Sequence, residues 1–112
     1  MPGQRKLEEK RIQNSILREF GTRTDMRLWR NNVGQATFGG QSVQFGVKGQ
    51  ADLSGLAPSG RRLEVEVKTW EGKQSTDQFN FEKMIKRFNG IYILARSIDD
   101  VYHGLRKAGE NI

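Results

Sequence analysis

Between Leu63 and Lys68 the chain alternates apolar and charged residues without a break, Leu-Glu-Val-Glu-Val-Lys. Side chains of an extended strand point alternately to opposite faces. The segment therefore reads as a β-strand with Leu63, Val65 and Val67 turned to a core and Glu64, Glu66 and Lys68 sharing the other face. Any fold that accepts it must supply a hydrophobic layer on one side and a use for two acids and a lysine on the other. A solvated edge strand meets that demand, because alternating Glu and Lys form cross-strand pairs and guard an edge against unwanted pairing. A site that employs the charges meets it too.

A second acid precedes this strand in Gly49-Gln-Ala-Asp52-Leu. An isolated Asp between glycines can be a turn former, but Ala51, Leu53 and Leu56 favour a strand. Two carboxylates that converge, here Asp52 and Glu66, can hold the hard divalent cations, magnesium or manganese, that polarise a phosphodiester and activate water. The Lys68 ammonium beside Glu66 can then orient the water or offset charge in the transition state, and the Val67 carbonyl can add an oxygen ligand.

The rest of the chain supplies a frame for that strand. Arg5 to Phe20 reads as a helix stopped by Gly21, with Ile12, Ile16, Leu17 and Phe20 as its apolar stripe and Glu9 and Gln13 near the centre of it. A carboxylate there needs a partner, and an arginine at the core rim is one candidate. Met26 to Arg30 reads as a short strand, with Trp29 and Phe38 read as core in preference to base-stacking platforms, and the glycine-rich stretch 31–46 as a hairpin. Strands over 49–55 and 62–69 are linked by the turn Ala57-Pro58-Ser59-Gly60. Ser75 and Gln78 form a capping box for a helix to Phe88, with Phe81, Ile85 and Phe88 as its buried stripe and Asn89-Gly90 as its stop. Ile91 to Ala95 is a buried strand, and Ser97 with Asp100 opens a final helix. The order helix, several strands, helix, strand, helix predicts one α/β domain over residues 1–112, a mixed sheet flanked by helices.

Lys and Arg number 19 against 13 acids, a net charge of +6, which favours a polyanionic partner, nucleic acid foremost. Arg30, Asn31, Asn32 and Lys73 are candidate phosphate contacts; a hairpin loop with solvated polar groups and an ordinary surface lysine are the plainer readings. There is no cysteine, which excludes disulfides and thiolate zinc sites. His103 is the single histidine, so histidine-based catalysis has little support. The longest apolar run, Ile91 to Ala95, is far too short for a membrane span, and no secretory core segment opens the chain, so the expected setting is cytoplasmic.

Four stretches resemble one family: Glu9-Lys10-Arg11-Ile12-Gln13; Leu28 to Gly34 around Trp29; Gly49-Gln50-Ala51-Asp52-Leu53; and Glu64 to Gln78. Together they are similar to the VRR-NUC (virus-type replication-repair nuclease) domain of the PD-(D/E)xK nuclease superfamily. Ala51 stands where the superfamily's name has Pro, a position often varied there. The resemblance implies a restriction-endonuclease-like α-β-β-β-α-β core and a magnesium- or manganese-dependent DNA endonuclease. Glu9 would be a third acid beside Asp52 and Glu66, and Gln78 would extend the site beyond its capping role. A free-standing domain of this kind resembles phage or prophage enzymes acting on branched DNA such as four-way junctions, often as homodimers. A dimer suits that substrate because paired strand breaks need two sites related by a two-fold axis. Nucleases of flaps, nicked duplex or RNA are the alternatives within the class, and a non-catalytic nucleic-acid-binding module is the alternative outside it.

Overall fold

The structure, a computed structural model, describes residues 2–31 and 34–112, the side chains of residues 2, 34–38 and 42–45 excepted. In chain order the elements are α1 (Pro2–Gly21), β1 (Arg27–Arg30), β2 (Gly34–Phe38), β3 (Gln41–Phe45), β4 (Leu53–Leu56), β5 (Arg62–Val67), α2 (Thr76–Arg87), β6 (Ile91–Ala95) and α3 (Ile98–Lys107). Strands β2 and β3 form a separate antiparallel hairpin between β1 and β4. The other four make one sheet in the order β1-β4-β5-β6, antiparallel except for the parallel pair β5–β6. The result is an α/β fold with a mixed sheet and three helices. Asn32 lies outside the described residues, as does the side chain of Phe38.

Strand β5 therefore has a neighbour on each side, and the solvated-edge reading of its charged face does not hold. Its apolar face behaves as the alternation requires. Leu63, Val65 and Val67 are buried in a core with Leu28, Leu53, Ile91, Ile93 and Ala95, closed by Ile16 and Phe20 of α1 and by Val101 and Leu105 of α3. The opposite face is roofed at the β6 end by α2, whose Phe81 and Ile85 pack with Tyr92 and Ala51.

Helix α2 begins and ends where its local signals place it. Ser75 is the N-cap with the capping box formed, Phe88 is the C-cap, and Asn89 adopts φ 65°, the left-handed conformation that Asn tolerates. Two expectations fail. Phe88 is 74% exposed, because it lies at the helix end, past the last turn that faces the sheet. Trp29 is 42% exposed, because it sits on edge strand β1 beyond the part of the sheet that α2 covers. Among the described residues, no helix is long and apolar enough to cross a membrane.

Candidate active site

The β4–β5 register pairs Leu53 with Val65 and Ser54 with Glu64, so Asp52 stands opposite Glu66 one step beyond the end of the ladder. Strand β4 begins at Leu53 and not at Gly49 because side chains replace backbone pairing here. The Asp52 N–H donates to Glu66 Oε1 at 3.1 Å, and the Val67 N–H donates to Asp52 Oδ2 at 2.8 Å. Each acid thus satisfies a backbone donor of the other's strand, and the two carboxyl groups are drawn to one point.

Gln78 completes the arrangement. Its Nε2 donates to Glu66 Oε2 at 2.5 Å, while its Oε1 accepts from the Ser75 N–H at 2.9 Å and its own N–H donates to Ser75 Oγ at 3.2 Å. The capping box and the brace on Glu66 are therefore held by one side chain. Gly49 lets the first turn of α2 come this close. It has φ +78°, and a Cβ there would lie 2.2 Å from the Asp77 carbonyl oxygen.

Glu66 is 2% exposed. Burial above all, then the Asp52 carboxylate, pushes its pKa from 4.5 up to about 9, while the Lys68 ammonium pulls it back. Burial and the neighbouring Asp52 thus favour the protonated form of Glu66, since two carboxylates this close do not readily both ionise. A divalent cation in place of the proton would let both ionise. The donor set fits a magnesium-like ion, which takes one or two carboxylates and fills its remaining positions with water and substrate phosphate oxygens. Backbone N–H and C=O of one strand residue leave on the same side, so Val67, whose N–H faces Asp52, directs its carbonyl there as well.

Not every expected residue joins. Among the described residues no group of three or more His, Cys, Asp or Glu is placed to hold a metal ion, so Glu9 is not gathered with Asp52 and Glu66. It lines two neighbouring cavities: one of about 670 Å³ with Thr69, Trp70 and Glu71, the other of about 270 Å³ with Gln13 and Arg30. Asn31 spends its Nδ2 on the Ala51 carbonyl at 2.9 Å and the Ser54 hydroxyl at 2.5 Å, bracing the approach to Asp52. Arg30 donates to Asn14, and Lys73 is exposed.

Arg96 is a supporting residue that nothing in its local sequence announces. Its Nε donates to the Thr69 carbonyl at 3.2 Å and its Nη2 to the Gly72 carbonyl at 3.0 Å, pinning the turn that follows Lys68. Glu64 sits in the next row, opposite Ser54 and 0% exposed. Its Oε2 accepts from Arg62 Nε at 3.3 Å while its Oε1 has no partner among the described residues, and burial raises its proton affinity. No family model matches the chain, and no curated protein or solved structure does either.

Proposed function

We propose that the chain is a magnesium- or manganese-dependent DNA endonuclease with a PD-(D/E)xK core of the VRR-NUC type, hydrolysing phosphodiester bonds by in-line attack of water. The observation that supports it most is the forced meeting of Asp52 and Glu66 at the end of an interior strand, with Lys68 beside them. Hydrogen bonds hold both acids at the strand ends, and two carboxyl groups drawn this close favour a shared proton or a cation between them.

Asp52, Glu66 and the Val67 carbonyl would hold the cation, which when bound supplies charge neutralisation and a more acidic water. Lys68 orients the water or offsets negative charge on the phosphoryl oxygens. Gln78 holds the Glu66 carboxyl group in place beside Asp52 through its Oε2. The net charge of +6 draws in the phosphate backbone. Branched DNA as substrate and a homodimer as the working form follow from the family resemblance.

The test is incubation of the purified protein with end-labelled four-way junction, flap and linear duplex DNA in magnesium, manganese or EDTA, with Glu66→Ala in parallel. Metal-dependent junction cutting lost in the variant is the expected result. Tight binding that ignores metal, with no cutting of any substrate, would instead identify a nucleic-acid-binding module.

A further inference from the structure

Resting on that reading, we infer that Trp29, with the Arg62 guanidinium against it, forms a platform on which an unpaired DNA base flanking the scissile phosphate stacks, selecting branched or opened DNA over plain duplex. The register builds the platform on the same face of the sheet as the carboxylates. Trp29 pairs with Ser54, and Ser54 with Glu64; the adjoining row on that face, two residues along, holds Asp52 and Glu66. Two residues of strand span roughly 7 Å, about two steps of a stacked nucleic-acid strand.

The sheet face is open there. The opening is at the outer edge: Trp29 is 42% exposed and its neighbour Leu56 44% exposed, beyond the β6 side that α2 covers, while Ser54 and Glu64 of the same row are buried. The aromatic ring is also held in place. Arg62 lies 5.8 Å from its centroid, and Arg62 is itself anchored by Glu64 at 3.3 Å. Glu64 is fully buried, so the stack of carboxylate, guanidinium and indole is fixed at its base.

An aromatic face beside a fixed cation binds nucleobases of any sequence by stacking and cation–π attraction. Bases inside a duplex have both faces covered by their neighbours, so only an unpaired or displaced base can use the platform. A flat ring near the scissile position therefore reads the opening of the helix and ignores its sequence.

The experiment uses Trp70→Phe protein, in which Trp29 is the only tryptophan, with EDTA present so that nothing is cut. Short oligothymidylate and a four-way junction should quench Trp29 fluorescence, and blunt duplex should not. Trp29→Ala should weaken single-strand binding by about tenfold with little change for duplex, measured by anisotropy of labelled DNA, and Trp29→Phe should recover part of the loss. Absence of quenching, or an equal loss on duplex and single strand, would overturn the platform. Should Trp29→Ala fail to fold, the quenching measurement decides alone. Quenching without any metal-dependent cutting would keep the platform and sink the nuclease; cutting without quenching would do the reverse.

Discussion

Asp52 and Glu66 each satisfy a backbone donor on the other's strand, through Asp52 N–H to Glu66 Oε1 at 3.1 Å and Val67 N–H to Asp52 Oδ2 at 2.8 Å. Hydrogen bonds to buried backbone groups are costly to leave unmade. The carboxyl groups therefore cannot move apart without exposing the end of the β4–β5 ladder. Closing the strand ends and bringing two carboxyl groups together are achieved by the same two hydrogen bonds.

Replacing Glu66 by Gln keeps the shape and removes the charge. On the proposed nuclease reading, cleavage should fall by about a hundredfold or more, as should cleavage by Lys68→Ala, on the scale of losing one electrostatic partner of a transition state. Circular dichroism should show both variants folded. Cleavage by Lys68→Ala at the parental rate would remove Lys68 from the mechanism.

The pH dependence of stability has a definite sign. Glu66 is raised in the folded chain from 4.5 to about 9, so it binds its proton more tightly folded than unfolded. Its contribution to stability is fully present below the ordinary glutamate range and is lost as pH rises through about 9. Melting temperature in EDTA should fall across that window, and Glu66→Gln should flatten the fall. Added magnesium should raise the melting temperature more at alkaline than at acid pH, because cation binding displaces the proton. A magnesium effect that is the same at every pH would separate Glu66 from the cation.

Gly49→Ala introduces a side chain at φ +78°, 2.2 Å from the Asp77 carbonyl oxygen. The left-handed backbone alone costs about 1–2 kcal/mol, and the clash pushes the first turn of α2 away from the sheet. Denaturant melts should show the destabilisation. Cleavage at a temperature where the variant is still folded should also drop, because Gln78 travels with that turn.

What the sequence makes legible here is what is local. The caps of α2, the apolar strand β6, the Ser97 cap of α3 and the inward face of β5 all follow from neighbours a few residues apart. Whether Glu66 faces water depends on α2, whose Gln78 reaches it across the loop that joins β5 to α2. The same holds for Trp29, whose exposure follows from an edge position, and for Arg96, whose partners lie in a loop far away in the chain. Periodicity puts Glu9 on the inner side of α1 but does not say which part of the sheet that turn of the helix meets.

Gln78 combines two roles that substitution can separate. Gln78→Glu keeps an acceptor for the Ser75 N–H but loses the donor to Glu66 and sets a second carboxyl group against it. Gln78→Ala loses both. Helix-cap stability should fall by about 1 kcal/mol in the alanine variant, whereas cleavage should fall in both. Unchanged cleavage in Gln78→Glu would limit this residue to capping.

Glu64 and Glu66 share a strand face, and a two-residue slip of β5 would exchange them while keeping every apolar residue inward. The observed pairing of Leu53 with Val65 places Glu66 at Asp52 and Glu64 at Ser54. Glu64 then acts on the fold and on Arg62, through the 3.3 Å contact with Arg62 Nε. Glu64→Gln should keep metal-dependent cleavage within a few fold of the parent, because an amide oxygen can still accept from Arg62 and no cation ligand is lost. Glu66→Gln should abolish it. If the pair behaved in the opposite way, the register would be shifted by two residues and Glu64 would be the acid facing Asp52; comparing the two variants on one labelled substrate in magnesium tells the registers apart.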